Sequence, residues 1–185
     1  MKMNRTDMLQ DIEQILISEE ELQKRIKEVA AQISADYADK DPVVVGILNG
    51  VVPFYAAMTQ SITVPMLVDF MSVKSYAGTS STGILNIRKD LDHDIEGRHV
   101  LILEDILDSG RTLKKIAELF GERKPASVKI CTMLDKPEGR TEDLEADYVC
   151  FTVPNAFVVG MGLDYDGYYR NLPFVGILKP EVYQD

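Results

Sequence analysis

Cysteine is scarce in this chain: two among 185 residues, Cys131 and Cys150, with no CxxC pair and no neighbouring histidine cluster. A disulfide framework and a zinc site are therefore excluded as organising features. Both cysteines sit in apolar runs, so reduced core thiols in a cytoplasmic protein are expected. Long apolar runs are also missing, and the start, Met1-Lys2-Met3-Asn4-Arg5-Thr6-Asp7, is polar with no apolar signal core behind it. Neither membrane insertion nor export is expected. Positive charge is the third shortage: 20 Lys and Arg against 30 Asp and Glu leave a net charge of −10. Such a field repels nucleic acid and anionic lipid, so neither is an expected partner, and any phosphorylated ligand must be held by local donors or a cation. With no internal repeat, no linker-like segment, and 45% hydrophobic and 27% charged residues, residues 1–185 read as one globular domain.

The patterns that are present alternate between two periods. Ser18-Glu19-Glu20-Glu21 has the form of a capping box, followed at helical spacing by Leu22, Ile26, Val29, Ala30 and Ile33. Val43 to Leu48 is a continuous β-branched run, as expected of a strand buried on both faces, and it ends at Asn49-Gly50. Helical spacing resumes from Val51 to Gln60, and Met66 to Tyr76 alternates as one long strand or a pair. His99 to Leu103 and Val128 to Leu134 read as further buried strands around a helix from Thr112 to Phe120. Tyr148 to Thr152, Phe157 to Val159 and Phe174 to Leu178 follow as short strands. Strand and helix in alternation predict an α/β fold: a mostly parallel, twisted sheet flanked by helices. His93 and His99 lack metal-ligand spacing and read as surface or strand-edge residues.

The chemistry is concentrated in Leu103-Glu104-Asp105-Ile106-Leu107-Asp108-Ser109-Gly110-Arg111-Thr112, placed where a strand of an open α/β sheet gives way to a helix. Backbone N–H groups, hydroxyls and a helix N-terminus in such a loop can converge on one phosphate. Glu104, Asp105 and Asp108 would repel a bare phosphate, so they suit another part of the same ligand: sugar hydroxyls, a divalent cation, or a proton to be moved. A phosphorylated sugar with Mg2+ satisfies both halves. The competing reading is a helix merely capped by Asp and Ser. No P-loop is present, and Gly160-Met161-Gly162 lacks the third glycine of a dinucleotide fingerprint.

This decapeptide closely resembles the phosphoribosyl pyrophosphate (PRPP) signature of the type I phosphoribosyltransferases. From about Val43 to Tyr183 the chain further resembles the hypoxanthine and hypoxanthine-guanine phosphoribosyltransferases. Lys74-Ser75-Tyr76 with the Gly/Ser/Thr tract through Gly83 is similar to their mobile catalytic loop. Asp135-Lys136-Pro137 is similar to their lysine-bearing turn, and Phe157 to Gly160, Leu163 to Tyr165 and Tyr169 to Pro173 to their purine-binding hood.

The resemblance implies a small hood formed by about 150–185 with part of the N-terminus. It implies an Mg2+-dependent enzyme of purine salvage, a homodimer or homotetramer. The reaction would move the 5-phosphoribosyl group of PRPP to N9 of hypoxanthine, with guanine as a second base, giving IMP or GMP and pyrophosphate. Glu104 and Asp105 would hold the ribose hydroxyls directly or through Mg2+. The segment Ile106, Leu107, Asp108, Ser109, Gly110, Arg111 and Thr112 would complete the PRPP site, with Asp108 as catalytic base at purine N7. Lys136 would donate to the 6-oxo group, Phe157 would stack on the base and Val158 would meet its edge through the backbone. Asp164 would join the base site and hold a second Mg2+. Asn49, Gly50 and Arg170 would bind pyrophosphate, and Ser75 and Tyr76 would belong to the loop that excludes water. Where the family commonly has Leu-Lys-Gly this chain has Leu48-Asn49-Gly50, so that loop brings an amide without charge, and weaker pyrophosphate affinity is expected. Two other readings stand beside this one: a xanthine-preferring 6-oxopurine enzyme, and a PRPP-sensing regulator of the same fold that binds RNA or DNA. The second needs a basic face, which the charge of −10 disfavours.

Overall fold

The computed structural model describes residues 5–74 and 85–184; the expected loop residues Ser75 and Tyr76 lie outside them. The chain runs α1 (Arg5–Gln10), β1 (Ile12–Ile17), α2 (Glu19–Asp36), β2 (Val43–Leu48), α3 (Val52–Ser61), β3 (Leu67–Lys74) and β4 (Asn86–Lys89). It continues through β5 (His99–Leu107), α4 (Arg111–Glu122), β6 (Ser127–Asp135), β7 (Tyr148–Thr152), β8 (Val158–Val159), β9 (Val175–Leu178) and α5 (Pro180–Tyr183).

The main sheet has the order β4-β3-β2-β5-β6-β7, and every neighbouring pair is parallel except β3 with β4. Side chains of a strand alternate between faces, and β2 shows the consequence. Val44 packs with Leu22, Ile26 and Val29 of α2 and with Phe54 and Met58 of α3. Val43 and Val45 face the other way, into the layer of Leu113, Ile116 and Phe120 from α4. A strand between two helical layers must be apolar on both sides, which is why its sequence shows no alternation. At the start of α2 the capping box forms as expected: the Ser18 hydroxyl accepts from the Glu21 amide, and the Ser18 amide donates to the Glu21 carboxylate at 2.8 Å.

Two expectations are corrected. The acidic pair does not follow the strand but lies within it, because β6 continues to pair with β5 as far as Leu107 opposite Asp135, whereas β2 stops pairing at Leu103. The late strands at Val158 and Val175 do not extend the main sheet. They pair antiparallel with each other, and β9 pairs antiparallel with β1, which the sequence reading missed, in a separate sheet of order β1-β9-β8. Its core is Met8, Val159, Tyr169, Leu172, Phe174 and Leu178, and Tyr169 reaches back to Asp11 through its hydroxyl at 2.7 Å.

Buried Asp69 ties β3 to the loop after β4. Its carboxylate accepts from the amides of Phe70, Asp92 and His93, and meets His93 Nδ1 at 3.0 Å. His99 meets the Ser127 hydroxyl, and both cysteines are free and buried.

Candidate active site

Strand order reverses between β2 and β5: the chain steps from β2 outward to β3, then returns to place β5 on the other side of β2. In open α/β sheets such a switch point leaves a crevice beyond the carboxyl ends. Here it holds a cavity of about 270 Å³ lined by Glu104 and residues 106–113, with Ile47 and Leu48 of β2 and Val73 of β3.

Leu107 to Gly110 cross the floor of this cavity, and the loop after β6 fixes their backbone. The Leu107 carbonyl accepts from the Lys136 amide at 3.0 Å, and that of Ser109 from the amides of Thr141 and Glu142. Arg140, a residue the sequence reading missed, donates to the carbonyls of Leu107 and Asp108 at 3.1 and 2.8 Å and also pairs with Asp135. Carbonyl oxygens that would repel a phosphate are thereby committed elsewhere. Gly110 then opens α4 at φ +80°, a left-handed conformation that favours glycine. No side chain caps this helix, so Asp108 and Ser109 are not its caps, and the positive end of its dipole faces the cavity region.

Asp108 lies between two partners. Lys136, buried to 8% exposure, places Nζ at 3.0 Å from Asp108 Oδ2 and donates also to the Ala156 carbonyl at 3.3 Å. Its other oxygen lies against Gly139, where an added Cβ would fall 1.9 Å from Oδ1. Through Ala156 the lysine is next to Phe157, a half-exposed ring, and Val158, which is buried in β8.

The acidic pair is tightly coupled. Burial, with the Asp105 charge beside it, pushes the Glu104 carboxyl well above the usual carboxylate range. Burial raises Asp105 too, but the Glu104 hydrogen bond, the Ile106 amide and the nearby Arg170 hold it lower. Asp105 Oδ2 packs so closely on the Asn49-Gly50 turn that a Cβ at Gly50 would lie 1.7 Å from it and 3.4 Å from Arg170 Nη1. Arg170 also bonds Asp164 at 2.7 Å, and the second Asp164 oxygen accepts from the Gly167 amide. Asn49, Gly50, Asp105, Asp164 and Arg170, drawn from three distant segments, thus share one corner of the site. Among the described residues no three His, Cys, Asp or Glu side chains form a ready-made metal cluster.

A crevice at the switch point of a parallel sheet, with an uncapped helix start, adjoining carboxylates and a buried lysine, defines a binding site for a phosphorylated sugar or nucleotide. The comparisons narrow that class. Residues 11–166 match the model of the phosphoribosyl transferase domain. The hypoxanthine-guanine phosphoribosyltransferase of Streptococcus pneumoniae is 53% identical over 176 residues, 95% of this chain and 98% of the relative. That of Bacillus subtilis is 53% identical over 178 residues, 96% and 99% of the two chains. A crystal structure of a hypoxanthine phosphoribosyltransferase from Staphylococcus aureus superposes with a TM-score of 0.94 at 49% identity, covering 100% of both chains. The chain belongs to the phosphoribosyltransferase family. No helix among the described residues is long and apolar enough to cross a membrane.

Proposed function

We propose that this protein transfers the 5-phosphoribosyl group of PRPP to N9 of hypoxanthine or guanine, releasing pyrophosphate and forming IMP or GMP. The observation that carries the reading is the Lys136–Asp108 pair, 3.0 Å apart, beside an uncapped helix start. It sets a donor for a purine 6-oxo group and an acceptor for the N7 proton side by side, next to a place for the sugar's 5′-phosphate.

Breaking the ribose C1 bond to pyrophosphate builds oxocarbenium-like charge on the sugar, which neighbouring carboxylates favour. Glu104 and Asp105 hold the ribose hydroxyls. Residues 106–112 complete the PRPP pocket, in which the backbone of Asp108 to Thr112 receives the 5′-phosphate, and the Asp108 carboxylate takes the N7 proton as the N9 bond forms. Phe157 stacks on the base, and the Val158 backbone reads its edge. Asn49, Gly50 and Arg170 receive pyrophosphate, Asn49 without adding charge.

Mg2+ fits the donor set. It is commonly held by one or two carboxylates together with substrate oxygens rather than by an all-protein cage, and Glu104, Asp105 and Asp164 are carboxylates of that kind. Glu104 and Asp105 would hold one ion at the ribose hydroxyls, and Asp164 a second; an ion held there would supply positive charge against the leaving pyrophosphate.

The test is a coupled assay with PRPP, with and without Mg2+, and hypoxanthine, guanine, xanthine, adenine or uracil in parallel. Mg2+-dependent turnover of hypoxanthine and guanine is expected. Xanthine turning over fastest would move the assignment within the 6-oxopurine enzymes. No turnover by folded protein that binds PRPP would overturn it in favour of a sensor.

A further inference from the structure

The ring of Phe157 has two faces, and one is already covered. Tyr183, in the final helix α5, lies on it with ring centroids 4.7 Å apart and planes 21° from parallel. Tyr165 meets the same ring edge-on at 5.7 Å and 87°, and meets Tyr183 at 6.5 Å. Phe157 nevertheless keeps 37% of its surface exposed, and neither of these two rings is stacked on its other face. Backbone contacts set this arrangement: the Leu178 amide donates to the Phe157 carbonyl at 2.9 Å, and α5 follows two residues after β9.

We propose that Tyr183 is a positioning residue for the purine base: its ring backs Phe157 and fixes the plane on which the base stacks, completing a three-ring stack of Tyr183, Phe157 and purine. The proposal rests on the reading of Phe157 as the base platform. A partly exposed phenylalanine ring just ahead of a short strand turns readily about its χ2 torsion, and a base stacking on a free ring must first order it. Face-to-face contact with Tyr183 and the edge of Tyr165 order the ring beforehand, so the C-terminal helix supports base affinity without touching the base.

The test compares Tyr183→Ala, Tyr183→Phe and Phe157→Ala, measuring kcat, KM for hypoxanthine, KM for PRPP, the dissociation constant of IMP, and Tm. Aromatic pairs contribute an affinity factor of roughly two- to tenfold. Tyr183→Ala is expected to raise KM for hypoxanthine and weaken IMP by about that factor, with KM for PRPP unmoved and Tyr183→Phe restoring the parent values. The proposal is overturned if Tyr183→Ala leaves the base KM unchanged or lower while Phe157→Ala raises it, or if KM for PRPP rises in step with KM for the base. If Phe157→Ala itself leaves the base KM unchanged, the platform reading of Phe157 falls and the proposal with it.

Discussion

Gly50→Ala is the sharpest perturbation the structure offers, because one methyl group reports on the packing between the pyrophosphate turn and the acidic pair. The added Cβ would lie 1.7 Å from Asp105 Oδ2 and 2.9 Å from its Cγ, where ordinary non-bonded contact is about 3.5 Å. Something must retreat by more than about 1.5 Å. The Asp105 carboxylate cannot swing away cheaply, since it is 9% exposed and its other oxygen accepts the Ile106 amide at 2.8 Å. If the turn moves instead, its spacing to Arg170, whose Nη1 is 3.4 Å from the same point, changes with it. Either way two groups proposed to meet one substrate are displaced by more than about 1 Å, a misplacement that costs about 10²-fold in rate. Overpacking of this kind also destabilises by about 1–3 kcal/mol, or several degrees of Tm in a chain of this size. The expected result is a fall of about a hundredfold in kcat/KM for PRPP at saturating hypoxanthine, with a lowered but cooperative melt. A variant within threefold of the parent and with unchanged Tm would refute the close packing itself.

Asp108→Asn removes the proposed acceptor for the N7 proton while keeping the side chain's shape, so kcat should fall by about 10²–10⁴-fold with KM for PRPP nearly kept; full turnover would remove Asp108 from the chemistry. Gly121→Ala adds a methyl to α4 where nothing lies within 4 Å. It should stabilise by about 0.5–1 kcal/mol, read as a small rise in Tm with activity unchanged. Asp69→Asn tests a buried charge far from the chemistry. Burial pushes this carboxyl up, but the amides of His93, Phe70 and Asp92 and the His93 ring outweigh it and hold it below the usual range. A lowered folded pKa contributes stability that is present above the unfolded value, near 3.9, and is lost as pH falls through the folded value. The variant should therefore be less stable at pH 7 by about 1.5–3 kcal/mol, and the gap should narrow below about pH 4; equal gaps in urea unfolding at both pH values would sink this account.

What the sequence makes legible is whatever is decided locally. The β2 run from Val43 to Leu48 is apolar on both faces because helices cover both, and the Ser18 box caps α2 with residues three apart. The acidic decapeptide carries its own order of residues. What the sequence hides is decided by partners far along the chain. The length of β5 depends on how far β6 accompanies it, so its end at Leu107 could not be seen in the apolar run that stops at Leu103. β1 reads poorly as a strand because it has only one neighbour, β9, and pairs with register shifts. Arg140 and Gly139 have no motif of their own; their part in the site appears only once the loop after β6 is folded against Asp108.

The same division explains how a protein of net charge −10 can place the proposed phosphate site among three carboxylates. In the sequence Glu104, Asp105 and Asp108 stand together and their answering charges are nowhere near. In the fold two of them are met by separate cations. Lys136 stands 3.0 Å from Asp108. Arg170 approaches Asp105 across the Gly50 turn and favours its charged form. Among the described residues Glu104 has no cation beside it, and burial next to Asp105 makes it hold its proton to higher pH than an exposed glutamate would. The repulsion that three acidic residues would exert on a phosphorylated ligand is thus much reduced before any metal enters. The cations that reduce it come from the turn after β6 and from the connection between β8 and β9, so the charges are balanced only when the main sheet and the segment leading into the second sheet are folded together.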